Sequence, residues 1–351
     1  MVGELMPVPV DARNADRDFW RRYHVLRRLE ASEIRPDDPL MPDESVEANM
    51  KKQNPYEFEH PHEIALDGEM LSWFWGGTPT PASPEYESSK HIFWANAYVR
   101  PDHRRQGIGS MWLELLANLM DEHGCTIVEF HTEGELGQAF LLWVGAEPKM
   151  TEIESRLDLS QVDWTMVERW VAEGQQRSPQ TRLHIYDGPI PEEVRPELAP
   201  QLSAILNTIP FEDLDHGEIV VTPETMQEWY DRNALSEETQ HTVLTREPDG
   251  VISGITDITW APYRRSLIYQ QFTGVRPDAR GRGLGKWIKA AMLLRVRKLY
   301  PDAAWIATGN AHSNGPMLKI NRTLGFKAYK TAVEYQLSRE GLETRIRSLR
   351  L

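Results

Sequence analysis

Two stretches of the chain place arginine and glycine where phosphate chemistry needs them. Residues 99–112 read VRPDHRRQGIGSMW, and residues 275–288 read VRPDARGRGLGKWI, 176 positions further on. In each, Val-Arg-Pro-Asp leads to an Arg, two residues, Gly, one residue and a second Gly. The first copy is Arg104-Arg105-Gln106-Gly107-Ile108-Gly109, then Ser110; the second is Arg280-Gly281-Arg282-Gly283-Leu284-Gly285, then Lys286. Glycine lets the backbone turn tightly and come close to a ligand. The N–H groups opening the following helix then face one spot, with the positive end of the helix dipole behind them. Such a nest suits a diphosphate, and flanking arginines add charge and bidentate donors.

Other phosphate loops are excluded by spacing. A nucleoside-triphosphatase loop needs Gly, four residues, then Gly-Lys-Ser/Thr, which neither copy has. A dinucleotide fingerprint needs Gly-x-Gly-x-x-Gly after a first strand, whereas Gly281, Gly283 and Gly285 alternate singly and lie mid-domain.

The elements around the two turns repeat. In the first half, HEIALDGEMLSWFWGG predicts two strands joined at Asp67-Gly68, and HIFWANAYV a strand running into the turn. SMWLELLANLMDEHG predicts a helix ended by Gly124, followed by strand CTIVEF, a short helix over 135–144 and strand MTEIESRLDL. DWTMVERWVAEGQQRSPQ predicts a linker helix with a polar tail. In the second half, Thr222 and Pro223 mark a helix start, and Asp249-Gly250 a hairpin. SLIYQQFTGV leads into the second turn, then come a long amphipathic helix, strand AAWIATGN, helix PMLKINRTLGF and a last strand AYKTAVEYQL. The prediction is an N-terminal domain over 1–160, a linker helix over 161–180 and a C-terminal domain over 181–351.

The Arg/Gln-x-x-Gly-x-Gly/Ala pattern, after a Val-x-Pro strand end and before an amphipathic helix, resembles the GNAT family of acyl-CoA N-acyltransferases. Asn314, Met317 and Leu324-Gly325-Phe326 are similar to that family's Asn-x-x-Ala…LGF segment. The resemblance covers most of both halves. It implies two tandem GNAT domains of α/β (α+β) class, each a mixed, mostly antiparallel twisted sheet flanked by helices. The two-domain layout also resembles that of the mycothiol synthases, which acetylate a cysteinyl amine. By the same resemblance the loops cradle the pyrophosphate of acetyl-CoA, a backbone N–H near Val99 or Val275 binds the thioester carbonyl, and a Tyr four residues before the Gly of LGF protonates the thiolate. This chain departs there: the Tyr position holds Asn321 in the second half and Leu141 in the first, and Gly134 stands where Asn314 does. Water is the alternative proton source.

For a general base, Asp257 in GITDITW and His312 just past AAWIATGN are the second-half candidates; Glu129 and His131 lie on the equivalent first-half strand. The second half is expected to carry catalysis. Residues 276–298 hold Arg276, Arg280, Arg282, Lys286, Lys289, Arg295, Arg297 and Lys298 against Asp278 alone. His60 and His62 lack a third ligand nearby, so no metal is expected. Trp73, Phe74, Trp75, Phe93, Trp94 and Tyr98 alternate along strands and are read mainly as core.

Composition bounds the rest. The net charge is −14, and residues 1–160 carry 15 Lys+Arg against 29 Asp+Glu, while residues 161–351 carry 24 of each. An acidic half argues against nucleic acid, which selects excess Lys and Arg, and suits a cationic substrate or a solvated surface. Mean hydropathy is −0.53. There is no run of 18 apolar residues, MVGELMPVPV lacks signal-peptide character, and Cys125 is the one cysteine, so a cytoplasmic protein off the membrane is expected. The expected function is transfer of an acyl group, acetyl above all, to a primary amine of a small molecule or peptide, by a monomer or homodimer. The alternative is an acyl-CoA-binding regulatory or structural protein with one or both domains silent.

Overall fold

The computed structural model describes residues 5–350. It divides the chain into two compact units: unit 1 comprises 1–151, 213–218 and 332–351, and unit 2 comprises 152–212 and 219–331. The repeat predicted two contiguous domains, 1–160 and 181–351, joined by a linker helix over 161–180, and the structure divides the chain differently at the end of each half. The strand closing each sheet comes from the other half of the chain. Both halves are copies of one pattern, so each closing strand offers the same alternation and ladder to the same kind of edge. Exchanging equivalent elements is a low-cost rearrangement for that reason.

Unit 1 holds β1 (Val8–Pro9), α1 (Arg17–Ile34), α2 (Asp43–Lys51), β2 (Glu57–Glu59), β3 (His62–Leu66), β4 (Glu69–Pro79), α3 (Tyr86–Ser89), β5 (Ile92–Val99), α4 (Ile108–His123), β6 (Ile127–Thr132), α5 (Glu135–Val144) and the start of β7 (Glu147–Asp158). Its strand order is β1-β3-β4-β5-β6, with β2 on β4. β3 and β4 turn at Asp67-Gly68, both at positive φ (50° and 80°), as the sequence predicted. The rest of β7 opens unit 2, which continues with α6 (Trp164–Arg177), β8 (Arg182–Asp187), α7 (Arg195–Leu206), α8 (Pro223–Leu235), β9 (Thr239–Arg246), β10 (Ile252–Trp260), β11 (Leu267–Val275), α9 (Leu284–Leu299), β12 (Trp305–Ala311), α10 (Gly315–Leu324) and the first residues of β13 (Lys327–Ser338). Unit 2 runs β7-β12-β11-β10-β9-β8, with Glu152–Asp158 of β7 antiparallel to Ala311–Trp305. From Ala332 the chain belongs to unit 1, where Val333–Ser338 of β13 lie antiparallel to Thr132–Ile127 of β6.

The chain ends in α11 (Arg339–Leu349), which the sequence reading missed. It follows unit 1's closing strand as α6 follows unit 2's. Leu342 and Ile346 of α11 join the unit 1 core with Trp112, Leu116 and Met120 of α4. Val167 and Trp170 of α6 join the unit 2 core with Ile288, Met292 and Val296 of α9. The predicted linker helix is thus a packed layer of unit 2.

Each helix after a cradle loop has a reason to start where it does. Gly107 and Gly283 are its N-caps at φ 86° and 84°, a backbone that side chains with a Cβ resist. α8 begins with the predicted Thr222, which forms a capping box with Thr225.

Candidate functional site

Both cradle loops leave backbone donors unmatched. In unit 1, Arg105 (φ 61°) and Gly107 are left-handed, and among the described residues no acceptor meets the N–H groups of Arg105 through Gly109. In unit 2, Gly281 (φ 81°) and Gly283 are left-handed, and the same holds from Gly281 through Lys286. Left-handed residues alternating with right-handed ones form the concave nest that binds anions. The second glycine of each motif serves a different need. A Cβ on Gly109 would lie 3.2 Å from Phe140 of α5, and one on Gly285 3.3 Å from Ile320 of α10, so glycine lets the next helix approach.

The arginines do less for the cradle than their number suggested. Arg104 and Arg280 each donate from Nε to the strand-ending carbonyl, Val99 at 3.0 Å and Val275 at 3.2 Å. Arg104 is also clamped by Glu33 of α1 at 2.6 Å to each oxygen, which with Tyr98 holds that carboxyl below its ordinary range. Arg282 donates to Glu247 at 3.0 and 3.2 Å and to Thr181 at 2.6 Å. Arg105 is exposed, and Gln106 donates to the Asp102 carbonyl. The sequence reading missed Arg177. It closes α6 with its Nη1 3.3 Å from where a Gly283 Cβ would be. Beside it Lys286 lies over the Trp170 ring at 4.9 Å. Reading α6 as a spacer hid both contacts.

Behind each loop the sheet forks. β11 pairs in parallel with β12 only from Leu267 to Gln270, and β5 with β6 only from Ile92 to Trp94. Past those pairs the strands part. In unit 2 the register shifts at the fork, Asp257 facing Phe272 and Ile258 facing Gln270, so Gln271 is bulged. Asp257 accepts from the Phe272 N–H (2.9 Å) and from Gln240 (3.0 Å), and burial pushes its carboxyl up to about 7. A cavity of about 340 Å³ opens there, lined by Glu152, Glu154, Tyr269, Gln270, Gln271, Ala307, Thr308 and Gly309. Its lining contains no Lys or Arg.

None of the second-half candidates, Asp257 included, is among the residues lining that cavity. His312 sits in the exposed turn after β12, with no hydrogen-bond partner among the described residues. Asn314 caps α10, accepting from the Met317 N–H at 3.3 Å. Asn321 is buried; it donates to Asn310 Oδ1 at 2.7 Å, while its own Oδ1 meets no donor. In unit 1, Glu129 faces Trp94 at the last parallel pair, and His131 lies two residues on. Among the described residues no cluster of three His, Cys, Asp or Glu could hold a metal, and no helix is long and apolar enough to cross a membrane.

The family model "Acetyltransferase (GNAT) family" matches residues 26–139. No curated protein matches the chain by sequence. Among solved structures it is similar to a tandem GNAT protein from the clavulanic acid biosynthesis pathway, at TM-score 0.73 and 18% identity over 96% of this chain and 99% of that one. It is similar to a GCN5-related N-acetyltransferase from Sphaerobacter thermophilus, at TM-score 0.61 and 13% identity over 97% of each. It is also similar to the N-myristoyltransferase of Saccharomyces cerevisiae, at TM-score 0.56 and 10% identity over 96% of this chain and 79% of that one.

Proposed function

We propose an acyl-CoA-dependent N-acyltransferase acting on a primary amine, on the premise of the GNAT family model's match to residues 26–139 and of a fold shared with a tandem GNAT protein. One observation carries the reading. In each unit a row of unmatched backbone donors opens a helix at the end of a strand that has just left its parallel neighbour. That row fits a diphosphate, and the gap between the strands fits the arm that a diphosphate would anchor there.

In unit 2 the amides of Gly281–Lys286, with Arg177 and Lys286 beside them, hold the pyrophosphate. Acyl-CoA supplies the thioester carbonyl. Asp257 takes the proton from the attacking ammonium, its near-neutral carboxyl matching that task; His312 is the second candidate. The developing oxyanion is met by a backbone N–H near Val275. Asn321, which cannot act as a phenol would, leaves protonation of the thiolate to water. Glu152 and Glu154, the latter ion-paired with Arg156 at 3.0 Å, make the fork cavity polar enough for an amine acceptor, and an acetyl donor is the simplest acyl group. The protein is placed in the cytoplasm on this reading.

A binding role without turnover is the second reading. It is favoured by Asn321 and Leu141, neither able to protonate a thiolate, standing where the resemblance places a Tyr. The two readings separate on thiol release from acetyl-CoA with a panel of primary amines. Amine-dependent release supports the transferase; tight CoA binding without release supports the binder.

A further inference from the structure

Unit 1 was expected to be the silent copy. Its fork holds an arrangement that unit 2 lacks. The last parallel pair is Trp94 with Glu129 in unit 1, and Gln270 with Thr308 in unit 2. A carboxyl therefore stands where the other unit has a hydroxyl. Strand alternation fixes which way it faces. Val128 of β6 is buried in the unit 1 core and Phe130 packs against it, so Glu129 and His131 face the opposite side of the sheet. On β5, Phe93 and Ala95 are core, which puts Trp94 and Asn96 on the same side as Glu129. Asn96 and Ala97, just past the fork, are exposed. Asn96 is two residues, about 7 Å, along the strand from the last pair. The open arm of β5 then runs to Val99 and the cradle, where a Cβ on Gly107 would meet nothing within 4 Å.

The groups facing Glu129 come from three segments. β13 supplies Glu334 and Gln336, segment 213–218 supplies Asp215, and β6 itself supplies His131. Gln336 donates to Glu129 at 3.1 Å. Burial, then the charges of Glu334 and Asp215, push the Glu129 carboxyl up to about 7. His131 is a different kind of group. Glu133 and Glu334, the latter 2.6 Å from Nδ1, hold it well above its ordinary value, so it carries its proton through neutral pH and cannot accept another. The two candidates thus separate: His131 is a fixed cation that pins Glu334, and Glu129 is the group able to exchange a proton.

We propose that unit 1 is a second acyl-transfer centre, in which Glu129, standing at the fork between β5 and β6, is the general base for a primary amine. The ammonium gives one proton to the Glu129 carboxylate. The free amine attacks the thioester carbonyl of acyl-CoA held by the Arg105–Gly109 amides. The C–N bond forms as the C–S bond breaks, the second amine proton goes to the departing thiolate, and Glu129 returns its proton to water. The products are the amide and CoA thiol. The inference rests on the acyltransferase reading and extends it to the half that the motif comparison discounted.

The test silences the other centre. Thiol release from acetyl-CoA with 1,4-diaminobutane, benzylamine and glycinamide is measured for the unaltered chain and for Gly283→Val. It is then measured for Gly283→Val combined with Glu129→Gln, with Glu129→Asp and with Gly107→Val. Turnover is expected to persist in Gly283→Val. It should fall about 10²–10⁴-fold with Glu129→Gln, together with the rise in rate through pH 7. Glu129→Asp should keep that limb, Gly107→Val should abolish turnover, and CoA affinity should be unchanged in Glu129→Gln, whose melting curve checks folding. Loss of all turnover in Gly283→Val while the unaltered chain is active overturns the second centre and leaves the acyltransferase reading standing. So does an unchanged rate and limb in Glu129→Gln. Release by no form with any of the amines overturns both.

Discussion

Lys289 is an amine placed where unit 1 has Leu113, six residues past each cradle glycine. It is 2% exposed, no carboxylate pairs with it among the described residues, and its ammonium donates only to Met317 Sδ, at 3.9 Å, among them. Burial alone pulls it down to about 7. An unfolded lysine binds its proton up to about pH 10.4, so below pH 7 folding must bury an ammonium and between pH 7 and 10 the cost fades. Lys289→Leu should therefore raise the melting temperature most at pH 6 and least near pH 10; a gain independent of pH would contradict this. Asp257 is the opposite case. Its folded pKa of about 7 lies above the ordinary carboxylate value of about 3.9, so the native state holds the extra proton and loses stability as pH rises from about 4 to 7. Asp257→Asn should melt higher than the unaltered chain at pH 8, with the difference shrinking below pH 4, while unit 2 turnover falls about 10²–10⁴-fold. Stability gained where activity is lost is the pattern of a functional residue; equal rates in the variant would leave only a structural role at the bulge.

α6 shows where the sequence was legible and where it was not. Its amphipathic pattern and its place between the repeats were readable, and so were the glycine turns, the Asp67-Gly68 hairpin and the Thr222 cap. Those depend on neighbours a few residues apart. What α6 packs against depends on a residue more than a hundred positions away: a Cβ on Gly174 would overlap the Trp287 ring of α9. Arg177 reaches the cradle by the same packing, and no local pattern marks it. The same limit hid the partners of Arg104 and Arg282, because Glu33 and Glu247 are distant in sequence. Gly174→Ala should cost about 1–3 kcal/mol, read in a denaturant titration, through overpacking against that ring. Arg177→Ala is argued from the other end of the helix. It should leave stability nearly unchanged and weaken CoA binding by unit 2 severalfold, measured in the Gly107→Val background; unaltered affinity there would remove Arg177 from the cradle.

At the scale of the molecule, the repeat was visible but its boundaries were not. The closing strands obey the same alternation wherever they dock, so sequence alone cannot say which sheet receives them. The structure assigns 332–351 to unit 1 and 152–160 to unit 2. A chain stopped after Thr331 therefore lacks the β6 partner and α11, and it should lose CoA binding at the Gly107 loop, which lies more than 200 residues from the cut. A contiguous N-terminal domain would be untouched by that truncation. The central claim, that both loops are CoA cradles, is tested most directly by calorimetric titration of CoA into the unaltered chain, Gly107→Val, Gly283→Val and the double variant, each checked for native helix content. The account predicts two sites in the unaltered chain, one in each single variant and none in the double variant. Binding of unaltered strength and stoichiometry by the double variant would contradict it.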